Sequence, residues 1–530
     1  MSKTNVYYII VDSVSRRTYD LIKESFHDNL KQLDVVPLIE QSKKSKMFVT
    51  GCPTEFSYPS LTTSTYPLDF NGYFKGISGR NQSISTIFKS RGYLTYLYNE
   101  DFRQDGSGYF HGYVYRRDFY SPARYIDHMT WMLEFYSKIY ENESSRQLSL
   151  LRARAYLKNT LKDLRKRISS DEWRLLFRIS KAESQVIDQF LAEFLMKINV
   201  SSSCSFDCFL KNTYKLSHLT RNKKFRPLFI RHYFRVIVYT ITSLLRLLKK
   251  QKYFKFRREL SGLYWLLKRT FWLGFNFPSS EYTLNKVSDD LVKYGAESNN
   301  FFWVHLSDVH ENNPLCFKST FSHNYFSSIK NKNPYIKIYK NSLMSSFSTI
   351  VDFIKKIKST EVLSGVMSDR NIFIITADHG STKSGCEAVN NLNIARDFHE
   401  ELYEVPFEVF TDSKSLVRSK YKMVNGLYSS VDILPTIMDF LSFDNSYEMR
   451  GTSIYNQPNH GRTYAIAEHN GPGPGDMSFK DIYLWVTNGE YSLSAIANKS
   501  CINFYGEEHS KDYMYDVLRE RFLEILNQNS

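Results

Sequence analysis

The sequence predicts an α/β protein: a mostly parallel sheet flanked by helices, with a helical insertion and a small antiparallel C-terminal subdomain. Three observations carry this. Val6-Tyr7-Tyr8-Ile9-Ile10-Val11, Phe301-Phe302-Trp303-Val304-His305-Leu306 and Ile372-Phe373-Ile374-Ile375-Thr376-Ala377 are short and apolar on both faces. Strands buried inside a parallel sheet read this way. Would-be ligands sit at the tips of two of these runs, Asp12 after the first and Asp378-His379 after the last. Ligand sites of open α/β sheets gather at the carboxyl ends of strands. Near the end of the chain, Asn488-Gly489 separates Ile482–Thr487 from Glu490–Ser494, and Asn-Gly between strand-like runs is a hairpin signal.

The elements then fall in order. Residues 1–115 form the first part of the α/β domain. It holds the strand Val6–Val11, a helix over Tyr19–Leu33 and the turn-rich segment Gly51–Ser60. A helix over Ser83–Ser90 and a strand over Tyr93–Tyr98 follow. Residues 116–290 form the insertion. Residues 291–455 complete the domain with strand Phe301–Leu306, helix Tyr335–Ile357, strand Ile372–Ala377 and strand Phe407–Phe410 after Pro406. Residues 456–530 form the C-terminal subdomain.

Composition narrows the classes. A chain of 530 residues can bury a large core, and 16% aromatic residues exclude disorder. The formal net charge of +15 is unevenly spread: residues 116–269 hold about 33 basic and 13 acidic side chains, so the remainder is slightly acidic. Within the insertion, residues 226–275 interleave Arg and Lys with Phe, Tyr, Trp and Leu, and Val236–Leu245 is its most apolar run. That run is too short to span a bilayer but suits a helix lying on an anionic membrane surface. A helical cap with solvated charges and binding of a polyanion are the competing readings. No motif for specific nucleic-acid recognition is present. The six cysteines are too sparse for a disulfide scaffold, and Cys204 and Cys208 lack the partners of a zinc site. The first strand starts almost at once. The expected location is therefore cytoplasmic, with peripheral contact at the inner face of the membrane.

Two carboxylates, an imidazole and a hydroxyl can bind one divalent cation and ionise the hydroxyl. Asp12, Asp378 and His379 supply the first three, and Thr54 is the candidate nucleophile. With an imidazole among the donors, Mn²⁺ or Zn²⁺ is favoured, with Mg²⁺ or Ca²⁺ as further options. The bland alternative for a strand-end Asp is a helix cap or a turn.

In these positions the chain resembles the sulfatase-like branch of the alkaline phosphatase superfamily. Ile10-Val11-Asp12-Ser13 is similar to its first metal-binding strand, and Thr376-Ala377-Asp378-His379-Gly380 to its Asp-His-Gly step. Tyr403-Glu404-Val405-Pro406-Phe407, Val431-Asp432-Ile433-Leu434-Pro435-Thr436 with Gly451-Thr452-Ser453, and Tyr513–Val517 resemble later family segments in the right order. The resemblance implies an alkaline-phosphatase-like fold and places the nucleophile thirteen residues before the proline of Tyr66-Pro67, at Thr54. Sulfatases carry there a Cys in Cys-x-Pro-x-Arg. Threonine resembles the phosphodiesterases and the phosphoethanolamine and phosphoglycerol transferases. Cys52 does not begin the sulfatase motif and reads as a buried thiol.

The same resemblance assigns further roles. His310, in His305-Leu306-Ser307-Asp308-Val309-His310, binds the ester oxygens or protonates the leaving group. Asp308 contacts substrate, or joins His310 at a second metal. Asn312 stands where two-metal members have His, which favours one metal. His399 and His469 are substrate-side histidines, the latter leading into the loop Asn470–Asp476, and Arg16 is a substrate contact or a solvated helix-start arginine. The expected activity is phosphoester hydrolysis or transfer through a phospho-threonine, on a lipid-linked or glycan substrate. A sulfuric ester hydrolase and a non-catalytic membrane- or polyanion-binding protein are the alternatives.

Overall fold

The structure is a computed structural model. It describes residues 3–41, 44–72, 77, 79–80, 82–99, 112–118, scattered positions between 161 and 196, 280–295, 298–311, 334–364, 370–381, 398–417, 421–423, 426–444, 447–454, 461–469, 482–498, 501–506 and 512–528. The basic stretch 226–275, the loop after His469 and Asn312 lie outside these residues.

The strands in chain order are β1 Thr4–Val11, β2 Val36–Pro37, β3 Ile39–Gln41, β4 Ser45–Phe48, β5 Leu94–Asn99, β6 Tyr115–Asp118, β7 Asn300–Leu306 and β8 Arg370–Thr376. They continue as β9 Glu404–Val405, β10 Phe407–Thr411, β11 Tyr421–Met423, β12 Gly426–Ser429, β13 Ala465–His469, β14 Ile482–Thr487, β15 Ser492–Asn498 and β16 Cys501–Gly506. The helices are α1 Arg16–Asp20, α2 Lys23–Gln32, α3 Thr54–Thr63, α4 Ile84–Ser90, α5 Ser280–Tyr294 and α6 Asp308–Glu311. They continue as α7 Pro334–Ser364, α8 Glu400–Tyr403, α9 Lys414–Val417, α10 Ile433–Phe440 and α11 Asp512–Gln528.

The main sheet has seven strands in the order β2-β10-β8-β1-β7-β5-β6. Strands β8, β1, β7, β5 and β6 are parallel, and β10 joins β8 antiparallel. Strand β1 is buried along its whole length, as its two apolar faces require.

Two ladders of side chains fix the register. Asn5 pairs with Asn300 and Asn371 on the flanking strands. Its Nδ2–H donates to Asn371 Oδ1 at 3.1 Å, and Asn300 Nδ2–H donates to Asn5 Oδ1 at 2.8 Å. Two residues on, Tyr7 lies between Phe302 and Phe373 with ring centroids 5.0 Å away on each side. Tyr96 extends this stack from Phe302 at 4.5 Å. A slip of one residue would break both ladders and turn every side chain to the other face. The register places Ile10 opposite His305 and Thr376. Asp12 and Asp378 each lie two residues further along, so by strand alternation they share a face with His305.

Strands β13 to β16 form an antiparallel sheet in sequence order, with β14 and β15 paired across Asn488-Gly489. Helix α11 covers one face of this sheet. Met514, Leu518, Phe522 and Ile525 pack there with Ile466, Leu484, Val486, Leu493 and Ala495.

The chain divides into two compact units, residues 1–118 with 278–530, and residues 119–277. In the second unit, Leu161 is buried and Arg165 pairs with Asp188 at 2.7 Å. No helix among the described residues is long and apolar enough to cross a membrane.

Several elements depart from their sequence-based limits. The helix expected over Tyr19–Leu33 is two helices, α1 and α2, parted at Leu21-Ile22. The segment around Thr54, expected as a turn, is the ten-residue helix α3. Its sequence is poor in helix formers and contains Pro59. Its hydroxyls bond to its own carbonyls: Ser57 to Thr54, Ser60 to Ser57, Thr62 to Tyr58 and Thr63 to Pro59. Such side-chain bonds let a buried helix carry Ser and Thr, and burial rather than propensity sustains it.

Candidate functional site

Four elements converge at the carboxyl edge of the sheet: the turn after β1, the end of β7, the turn after β8, and the N-terminus of α3. Asp12, Thr54, His305, Asp378 and His379 are all buried there. His305 Nε2 lies 3.8 Å from both Asp12 Oδ2 and Asp378 Oδ2. His379 Nε2 lies 3.8 Å from Asp12 Oδ1, 3.6 Å from Asp378 Oδ2 and 3.2 Å from Thr54 Oγ1. One donor atom each from Asp12, His305 and Asp378 fall within 4.8 Å of one another.

The backbone aims these groups. Asp378 Oδ1 accepts from the backbone N–H of His379 at 2.8 Å and of Ser13 at 3.1 Å, which turns Oδ2 toward the imidazoles. The ring of His379 is fixed from behind: Nδ1 lies 2.7 Å from the carbonyl of Gly380. A carbonyl only accepts, so Nδ1 carries a proton and Nε2 is the atom turned to the cluster. Gly380 is needed for close approach. Its N–H donates to Leu402 O at 2.8 Å, and a Cβ would stand 1.9 Å from Glu401 O.

The electrostatics point the same way. Burial, reinforced by the Asp378 charge, raises the Asp12 carboxyl above its ordinary range, against the pull of His310, His305 and His379. Burial would also raise Asp378. There the charge of His379 and the bonds of His305 and Thr54 outweigh it and hold the carboxyl far below its usual range. Burial opposes a charge on His379, yet Asp378 raises it well above an ordinary histidine. Two buried carboxylates therefore demand positive charge. A divalent cation would meet that demand, and two carboxylates with two imidazoles are donors that could hold one.

The remaining sequence-predicted residues take varied places. The His310 ring, half-buried on α6, is 6.4 Å from that of His379. Asp308 is buried, and its Oδ2 accepts from Ser280 N at 2.8 Å, at the start of α5. It is not part of the donor cluster found among the described residues. His399 caps α8, with Nδ1 accepting from Glu401 N at 3.1 Å. His469, buried at the end of β13, stacks on Tyr483 at 4.9 Å and Phe398 at 5.3 Å, and meets Phe56 of α3 at 5.7 Å. Arg16 pairs with Asp20 one turn on, at 2.8 Å. Cys52 is buried and interacts with His379.

His305 is the site residue that the sequence reading passed over. Its signal was a titratable side chain inside a strand otherwise apolar from Phe301 to Leu306. A buried polar group needs a partner, and here it faces two carboxylates.

A mostly parallel sheet with such a cluster at its carboxyl edge is an α/β architecture with a place for one divalent cation. The sulfatase family model matches residues 205–443, a span somewhat under half of the chain. The matched span includes His305, His310, Asp378, His379 and His399. No curated protein matches the chain. Among solved structures, it is similar to the lipoteichoic acid synthase LtaP from Listeria monocytogenes. That likeness has 12% identity over 99% of this chain and 91% of the other, with a TM-score of 0.46. A protein in the alkaline phosphatase superfamily from Vibrio parahaemolyticus matches with 12% identity over 100% and 87%, TM-score 0.48. The phosphonate monoester hydrolase from Silicibacter pomeroyi matches with 11% identity over 99% and 96%, TM-score 0.46.

Proposed function

We propose that this chain is a metal-dependent phosphoester hydrolase or transferase with Thr54 as its nucleophile. The observation that carries the reading is the position of Thr54 Oγ1, 3.2 Å from His379 Nε2 and beside the paired carboxylates. A divalent cation held by Asp12, Asp378, His379 and His305, with the Thr54 oxygen, would supply the positive charge that ionises the hydroxyl and offsets charge on the ester oxygens. Zn²⁺ or Mn²⁺ is the proposed ion.

Thr54 Oγ1 attacks phosphorus and forms a P–O bond as the bond to the leaving alcohol breaks. His310 gives that oxygen a proton. Water or an acceptor hydroxyl then attacks the phospho-threonine, losing its proton to His310, and Thr54 is released. Splitting one displacement into two is the gain of covalent catalysis. Thr54 is the first residue of α3, where the helix dipole favours negative charge on the transferred group. His399 and His469 stand on the substrate side in this reading. Asp308, whose carboxylate accepts from Ser280 N, supports the start of α5.

The basic, aromatic stretch 226–275 supports a lipid-linked or glycan phosphoester as substrate, held at an anionic membrane surface. The second reading, sulfate ester hydrolysis, is favoured by the sulfatase family match.

Turnover of an aryl phosphodiester and an aryl sulfate by wild type and Thr54→Ala separates these. The phosphodiester rate should fall by about 10³-fold or more in the variant, and a phosphorylated Thr54 peptide should appear in wild type. A loss of only a few-fold refutes Thr54 as nucleophile. Preference for the sulfate, with formylglycine found by mass spectrometry, establishes the sulfatase instead. No turnover of either, with cation loaded, leaves a binding protein.

A further inference from the structure

The tightest turn of the site is made by a residue with no obvious chemistry. Ser13 has φ +65°, a left-handed conformation that a non-glycine residue adopts only when its surroundings impose it. All three of its polar groups are engaged. Its N–H donates to Asp378 Oδ1 at 3.1 Å, and its Oγ–H donates to Asp12 Oδ1 at 2.8 Å. Its carbonyl accepts from the hydroxyl of Tyr339 at 2.8 Å. One residue thus touches both carboxylates, and one hydroxyl from a distant helix holds that residue.

Tyr339 lies in α7 and is fully buried. Its hydroxyl is also 3.2 Å from Thr18 Oγ1, which lies 3.0 Å from Ser15 Oγ. Ser15 Oγ–H in turn donates to Glu401 Oε1 at 2.6 Å. The same Glu401 supplies the N–H held by His399 and the carbonyl against which Gly380 packs. The chain of bonds therefore runs from the carboxylate pair, through Tyr339, to the segment carrying His399.

We propose that Tyr339 is a positioning residue of the cation site, fixing the turn at Ser13 so that Asp12 and Asp378 face one another across a single ion. The proposal rests on the cation-binding reading given above. Partners that orient metal ligands typically contribute about 10–100-fold to affinity. Left without the phenolic bond, the Ser13 carbonyl is free to rotate and the left-handed turn to relax, which swings both carboxylates at once.

The test is Tyr339→Phe, which keeps the ring in the core and removes only the hydroxyl. Full-length protein, stripped by chelator, is titrated with Zn²⁺ or Mn²⁺ against a competing indicator, and the apo form is melted in parallel. The expected result is a dissociation constant raised by about 10–100-fold, with an apo melting temperature close to wild type. Affinity within two-fold of wild type overturns the proposal, as does a lower apo melting temperature with unchanged affinity, the mark of a purely structural tyrosine. If Tyr339→Phe fails to fold, Thr18→Val removes the hydroxyl beside Tyr339 and carries the same two readouts. A wild-type protein that takes up no cation overturns the cation reading and this proposal together. A wild type that binds while Tyr339→Phe binds equally well overturns this proposal alone.

Discussion

Asp378→Asn is the sharpest perturbation of the site, because it alters charge and almost nothing else. The amide keeps an oxygen to accept from the backbone N–H of Ser13 and His379, now at 3.1 and 2.8 Å from Oδ1. It replaces Oδ2, the atom 3.8 Å from His305 Nε2 and 3.6 Å from His379 Nε2, with an NH₂ group. One unit of negative charge about 4 Å from a single positive charge is worth about 4 kcal/mol at an effective dielectric of about 20, and a divalent cation doubles it. The loss is therefore at least about 10³-fold in dissociation constant. The assay is competition with a chelating indicator on stripped protein, with elemental analysis after dialysis and circular dichroism to confirm the fold. About one ion per wild-type chain and none retained by the variant is the expected outcome. A folded variant whose affinity lies within three-fold of wild type would refute the assignment of Asp378 as a ligand.

Two further outcomes follow from the surroundings of the site. Burial, the largest influence, pushes the Glu404 carboxyl up to about 7, with Glu400 adding to it and Lys46 opposing. The folded state then holds a proton that the unfolded chain has lost. The associated stability is fully present below about pH 4.5 and disappears as pH rises through 7. Urea denaturation should show wild type losing about 3 kcal/mol relative to Glu404→Gln between those limits, and parallel profiles would contradict this. Gly380→Ala places a methyl 1.9 Å from Glu401 O. It should cost more than about 3 kcal/mol in stability and lower cation affinity by displacing His379. A variant that melts within a degree or two of wild type and binds normally would count against the close approach.

What the sequence made legible was set by how local each signal is. Strands β1, β7 and β8 announced themselves because a run with two apolar faces has few alternatives. Asp12 and Asp378-His379 stood out as the polar residues ending two of those runs. The hairpin at Asn488-Gly489 was readable from two residues. His305 was not, since nothing in a single strand says that its neighbour's strand-end carboxylate will lie two positions away. That follows only from the register, which the Asn5 and Tyr7 ladders set across three strands. Helix α3 was misread because its stabilising hydroxyl bonds and burial are invisible in a list of propensities. The role of Ser13 was hidden for a similar reason: its partner Tyr339 is 326 residues away.

The anchoring of α11 bears on when the site can exist during synthesis. Arg521 donates to both oxygens of Glu468, at 2.9 and 2.8 Å, and to Asp69 Oδ1 at 2.8 Å. Glu468 Oε1 also receives the N–H of Leu68 at 2.7 Å, just beyond α3. Until Asp512–Gln528 has left the ribosome, Glu468 lacks the Arg521 guanidinium and the segment after α3 lacks its clasp. Burying that carboxylate early would leave a charge without a partner, which is strongly disfavoured. A chain in which α11 has not docked is thereby held short of a closed site, and the segment after α3 is secured only once Arg521 reaches Glu468 and Asp69.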